Sequence, residues 1–243
     1  MLNLLLLGET EARVGGRLVD LGHLRQWSVL AALAVDANRP VSSTQLIERV
    51  WGGRRLPRRP LNALQTYMSL LRRALAGADG VTIDWRSGYY RLTMDEESID
   101  LHQFRRLIAQ ARATDDESRA LELMVRGIEL WRGEAFVAAD SPWFVAVRAR
   151  LHQERHAVLL DVTDIRLRRG QHGQVLADLL GRVGEHPLDE RLAAQLMRAL
   201  HGDGRSADAL RFFETLRRRL ADQLGTYPAP PLRLLHQQIL RSC

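Results

Sequence analysis

Leu61, Leu64, Met68, Leu71 and Leu75 recur at spacings of 3, 4, 3 and 4. At about 100° per residue that spacing makes one apolar stripe, so the pattern predicts an amphipathic helix from about residue 60 to 76. Pro60 suits its first position, where the ring presets the helical φ and the missing N–H costs nothing. The opposite face carries Asn62, Thr66, Ser69 and Arg73, flanked by Gln65 and Arg72. Amides and hydroxyls can hydrogen-bond to base edges, and guanidinium forks grip phosphate or guanine. An ordinary solvated helix face has the same composition, so the neighbouring segments have to decide between the two.

Upstream, residues 41–51 predict a shorter helix. Ser42 followed three residues later by Gln45 is a capping-box pattern, and Leu46, Ile47, Val50 and Trp51 supply a buried side. The loop between the two helices carries Arg54, Arg55, Arg58 and Arg59. Downstream, Val81 and Ile83, then Tyr90 and Leu92, alternate with polar residues around a turn at Trp85-Arg86-Ser87-Gly88. That predicts a β-hairpin with Arg86 and Ser87 at its tip. Helix, loop, helix, hairpin is the order of a winged helix-turn-helix, whose wing touches the DNA backbone or minor groove.

The chain begins with strand-like alternation at Leu2, Leu4 and Leu6, then a hairpin over 14–21 turning at Gly15-Gly16. A helix over 23–37 follows, with Leu24, Trp27, Leu30, Ala31 and Ala34 toward the core and Arg39-Pro40 as its stop. Arg25, near its start, is positioned either to hold a phosphate or simply to be solvated. The candidate DNA-binding set is therefore Arg25, Arg54, Arg55, Arg58, Arg59, Asn62, Gln65, Thr66, Ser69, Arg72, Arg73, Arg86 and Ser87.

From about residue 95 the strand signals stop. Helical periodicity predicts helices at 100–113, 116–131, 142–170, 172–185, 188–202, 205–224 and 229–241, separated by Gly and Pro breakers. Segments beginning at Gln171 and Gly204 look like starts of similar helix hairpins, which suggests a tetratricopeptide-like repeat or, alternatively, a non-repetitive bundle. The expected fold class is α+β, mainly α: a winged helix-turn-helix over 1–94 followed by an all-α, tetratricopeptide-like domain over 95–243.

Charge sharpens this division. All 35 basic residues are arginine; residues 1–94 hold 13 of them against 7 acids, a net of +6, and residues 95–243 hold 22 against 22. A basic half joined to a neutral half suggests a nucleic-acid module linked to a protein-contact or regulatory module. The one cysteine, Cys243, excludes a disulfide framework and a thiolate metal site. No apolar run reaches the length of a membrane span, and the Leu2–Leu7 run lacks the basic flank of a secretion signal, so no membrane partner and a cytoplasmic location are expected. Without lysine there is no Walker motif, and no G-x-G-x-x-G occurs. His152 and His156 share a helix face with the acid Glu154 pointing elsewhere, which fits neither common zinc-helix pattern. No enzyme activity, cofactor or metal is expected.

In combination, Ala37-Asn-Arg-Pro-Val-Ser42, Leu46-Ile-Glu-Arg-Val-Trp-Gly52, Asn62-Ala-Leu-Gln65, Tyr67-Met-Ser69, Leu71-Arg-Arg-Ala-Leu75, Gly88-Tyr-Tyr90, Asp100-Leu-His-Gln-Phe104, Trp131-Arg-Gly-Glu-Ala-Phe136 and Leu232-Arg-Leu-Leu-His-Gln-Gln-Ile-Leu240 resemble the Streptomyces antibiotic regulatory protein family. The resemblance implies an OmpR-type winged-helix domain followed by a bacterial transcriptional activation domain. It also implies activation of secondary-metabolite genes, binding to direct repeats in promoter DNA near the −35 region, a second protomer on the DNA, and recruitment of RNA polymerase holoenzyme with its sigma factor. The chain departs from the family's usual residues at Trp27, Arg54-Arg55 and Leu70. The competing expectation is a repressor or ligand-gated regulator whose helical half senses a small molecule.

Overall fold

Residues 2–53 and 56–242 are described by the computed structural model. The chain divides into two compact units, residues 1–156 and 157–243.

In the first unit, β1 (Leu2–Leu5), β2 (Glu11–Val14) and β3 (Arg17–Leu18) form an antiparallel sheet in that order, with Leu4 opposite Ala12. Gly15 and Gly16 make the turn between β2 and β3. The alternation seen at Leu2 and Leu4 breaks at Leu6 and Leu7, which are both buried. Their backbone N–H groups leave the sheet and donate to the Asp100 carboxylate, at 2.7 and 3.0 Å.

α1 (Leu24–Ala34) buries Val29, Leu30, Ala31, Leu33 and Ala34, but in its first turn Leu24 stays exposed and Trp27 only half-buried, contrary to their expected place toward the core, while Gln26 is buried instead. The helix also ends before the Arg39-Pro40 stop. Asn38 adopts a left-handed φ of 65°, its N–H donates to the Leu92 carbonyl at 2.8 Å, and its side chain brackets the backbone of Met94. The tertiary anchor, rather than the proline, sets where the chain turns.

β4 (Val41–Ser42) leads into α2 (Ser43–Trp51), and Ser42 with Gln45 forms the reciprocal capping box. α3 (Pro60–Ala74) buries Leu64, Met68 and Leu71, packing on α1 and α2. Leu61 sits one turn ahead of that packing and stays exposed, contrary to its place in the apolar stripe.

β5 (Thr82–Arg86) and β6 (Tyr89–Thr93) form the wing, and β4 adds to it, giving an antiparallel sheet of order β4-β6-β5. The two-residue turn at Ser87-Gly88 has positive φ at both positions, 50° and 85°, the conformation that matches strand twist in a tight hairpin.

α4 (Asp100–Ala113) and α5 (Glu117–Glu129) belong to this same unit. His102 donates Nε2–H to the Ala34 carbonyl at the end of α1 (2.8 Å), and Arg132 reaches the Asp100 carboxylate at 3.3 Å. Arg49 of α2 pairs with Asp36 at 2.7 Å, and its guanidinium lies 4.7 Å from the ring centre of Trp143. Gly53 packs against Pro142, so that a Cβ there would come within 2.8 Å of the ring; with its φ of 70° this position requires glycine. Residues well beyond 94 therefore hold the back of the winged helix.

The residues of α6 (Pro142–Arg168) fall partly in each unit. In the second, α7 (His172–Glu185), α8 (Glu190–Gly202), α9 (Ser206–Leu224) and α10 (Pro230–Arg241) stack as tetratricopeptide-like hairpins. Their core is a continuous cluster including Leu179, Leu192, Leu196, Met197, Phe213, Leu216 and Ile239.

Candidate nucleic-acid interface

With Leu64, Met68 and Leu71 turned inward, helical geometry points Asn62, Thr66, Ser69 and Arg73 outward within an arc of about 60°. All four are exposed, as is Gln65 at the edge of the arc. Packing on α1 and α2 thus decides which face of α3 meets solvent.

The outward groups are not equivalent. The Thr66 hydroxyl donates to the Asn62 carbonyl at 2.9 Å, so toward a ligand it offers its lone pairs and its methyl group. Arg72 donates Nε–H to the Ile83 carbonyl at 2.8 Å and so fastens α3 to the wing. Its charge also lies near Tyr90. Burial raises the Tyr90 hydroxyl above its ordinary pKa, and Arg72 opposes that rise.

The N-terminus of α3 has another character. Arg59 is the N-cap and makes no side-chain cap, Pro60 has no N–H, and Arg58 and Arg59 are both exposed. The open amide end carries partial positive charge, which together with two guanidinium groups suits a phosphate. Arg54 and Arg55 lie outside the described residues. Arg25 donates to the Val50 carbonyl at 2.7 Å and stands 3.8 Å from Asp140, so part of its guanidinium is engaged in holding α1 to α2.

On the wing, Arg86 and Ser87 are exposed at the tip. The β5–β6 register pairs Asp84 with Arg91 and Arg86 with Tyr89, placing these four on the face opposite Ile83 and Leu92. They line a shallow groove of about 440 Å³ with Pro40 and Ser87. Tyr89 and Arg91 were not in the sequence-derived candidate set. The period-two alternation of β6 around buried Tyr90 and Leu92 was the signal that could have found them.

No three His, Cys, Asp or Glu side chains among the described residues cluster so as to hold a metal ion. Glu154, between the two helical histidines, is gripped by Arg105 through two hydrogen bonds of 2.9 and 2.8 Å. No described helix is long and apolar enough to cross a membrane.

Residues 18–90 match the family model for the C-terminal domain of transcriptional regulatory proteins, and residues 99–240 match that for the bacterial transcriptional activator domain. The regulatory protein DnrI of Streptomyces peucetius is 30% identical over 249 residues, covering 98% of this chain and 91% of DnrI. The chain belongs to the Streptomyces antibiotic regulatory protein family. The transcriptional regulator RedD of Streptomyces coelicolor is 36% identical over 222 residues, 88% of this chain and 63% of RedD. The regulatory protein AfsR of the same organism is 34% identical over 97% of this chain, which spans only 24% of AfsR. A solved structure of Mycobacterium tuberculosis EmbR in complex with a low-affinity phosphopeptide superimposes with a TM-score of 0.92 at 28% identity, covering 99% of this chain and 65% of that one. The family's pairing of a winged helix with a helical activator domain is thus present here, carried on a chain shorter than several of its relatives.

Proposed function

We propose that this member of the Streptomyces antibiotic regulatory protein family is a cytoplasmic, sequence-specific transcriptional activator of secondary-metabolite genes. It binds direct repeats in double-stranded promoter DNA near the −35 region, with a second protomer on the adjacent repeat, and recruits RNA polymerase holoenzyme through its sigma factor. The single observation that carries this reading is the outward face of α3, where Asn62, Gln65, Thr66, Ser69 and Arg73 stand exposed opposite a buried leucine and methionine row.

In this reading α3 enters the major groove, where Asn62, Gln65, Thr66, Ser69 and Arg73 meet base edges. Arg58 and Arg59, with Arg54 and Arg55 before them, hold the phosphates at the helix N-terminus, and Arg86 and Ser87 bring the wing to the neighbouring backbone. Arg72 and Arg25 combine bracing of the domain with whatever phosphate contact their remaining N–H groups reach. Residues 1–94 supply the DNA contacts and residues 95–243 the protein contacts. The charge supports that division, since the whole net excess of +6 lies in the first segment.

The test is a footprint on candidate promoters together with transcription reconstituted from purified polymerase. The intact chain is expected to protect a direct repeat and raise transcript yield. A footprint accompanied by lowered yield would replace the activator with a repressor, and dependence on an added metabolite would make it a ligand-gated regulator.

A further inference from the structure

Leu70 is 36% exposed on α3, between the exposed Thr66 and Arg73 on one side and the half-buried Tyr67 and Ala74 on the other. It follows Thr66 by one turn and precedes Arg73 by three residues, which puts it at the rim of the outward arc. Because the Thr66 hydroxyl is tied back to the Asn62 carbonyl, the threonine offers its methyl beside the leucine. The two make a small apolar spot on a surface of amides and guanidinium groups. Leu70 keeps about a third of its surface in solvent, whereas Leu64, Met68 and Leu71 fill the core at 1% exposure or less.

Within the major groove, the one apolar feature on a base-pair edge is the 5-methyl group of thymine. We infer that Leu70, assisted by the Thr66 methyl, is a specificity-determining residue that reads a thymine methyl in the target repeat. This deepens the DNA-reading function proposed above and rests on it. An amide or guanidinium beside a thymine methyl leaves its hydrogen bonds unmade, whereas a leucine there loses nothing and removes both methyl surfaces from water. The contact carries no charge, so it adds preference without adding salt dependence.

The experiment selects sites for the full chain from a pool of randomised duplexes. It then replaces each thymine of the selected site, one at a time, by deoxyuridine, which lacks only the methyl. For the native chain, one replacement is expected to weaken binding about three- to fivefold, the value of one methylene-sized group removed from water. Leu70→Ala should bind thymine and deoxyuridine versions of that site alike, with an unchanged slope of log affinity against log salt. Because Leu70 is exposed, the alanine variant is expected to fold, and the deoxyuridine series on the native chain tests the idea without any variant. If every thymine replacement is neutral, or if the loss persists in full in Leu70→Ala, the inference is overturned while the DNA-reading function stands. If no site is enriched at all, the DNA-reading function falls and this inference falls with it.

Discussion

Asp100 offers a decisive perturbation, because one side chain from the start of α4 completes the N-terminal strand. Its two oxygens accept from the buried N–H groups of Leu6 and Leu7 at 2.7 and 3.0 Å, and Arg132 approaches the second oxygen at 3.3 Å. Asp100→Ala removes both acceptors, and at 1% exposure or less Leu6 and Leu7 cannot turn to water instead. A buried donor left unpaired costs about 1–3 kcal/mol, so the pair costs about 2–6 kcal/mol. The Arg132 pair adds little, because that arginine is one-third exposed and water takes its place. Against a total stability of roughly 5–15 kcal/mol, this is a large fraction. The assay is urea unfolding of the full chain followed by circular dichroism and by Trp fluorescence. The first unit is expected to unfold at markedly lower urea, with an unchanged second transition if the two units unfold separately. DNA affinity measured well below the transition should change little, since Asp100 is remote in sequence and role from α3. A change in stability below about 0.5 kcal/mol, the spread of ordinary surface substitutions, would refute the assignment of Asp100 as the acceptor for these two amides.

The same carboxyl gives a pH prediction. Burial raises its pKa above the ordinary 3.8, while the Leu6 and Leu7 N–H groups and Arg132 oppose the rise. A raised folded-state pKa means that the native chain binds this proton more tightly than the unfolded one. Its contribution is therefore fullest below the unfolded value and declines as pH climbs through the folded value. The stability of the native chain relative to Asp100→Asn should fall across the window upward from 3.8, as measured by urea midpoints at a series of pH values. On the DNA side, Asn62→Ala should narrow the preference for the selected repeat over a mutated one by about 1–3 kcal/mol with an unchanged salt slope, whereas Arg58→Ala with Arg59→Ala should weaken binding to both and lower the slope by about 1 for every phosphate no longer held; titrations of both variants on both duplexes at several salt concentrations check this. A chain ending at His156 keeps the Asp100, His102 and Arg49 interactions of the first unit and should still give a footprint, but it should fail to activate in the reconstituted transcription assay.

Much of the architecture was legible locally because it is periodic. The 3-4-3-4 spacing of α3 foretold that Leu64, Met68 and Leu71 would face inward and that Asn62, Thr66, Ser69 and Arg73 would face solvent. The Ser42–Gln45 capping box and the Ser87-Gly88 hairpin turn involve residues three apart and adjacent, and both formed as their chemistry dictates. The Gly and Pro breakers placed the helices after residue 99 within a few positions of their ends.

The tertiary structure decided what depended on partners distant in sequence. Periodicity put Leu61 in the stripe, but among the described residues no neighbouring element covers it, and it stays exposed. Alternation required Leu6 and Leu7 to face opposite ways; a carboxylate more than ninety residues on draws both amides out of the sheet, and both side chains end up buried. Arg25 and Arg72 read as free cations in the sequence, whereas the carbonyls of Val50 and Ile83 each take one of their N–H groups. A backbone carbonyl left over in the last turn of a helix, as at Val50, or on an edge strand, as at Ile83, is invisible in a pattern of side chains, so only the folded chain reveals which arginines it engages and which remain for a ligand.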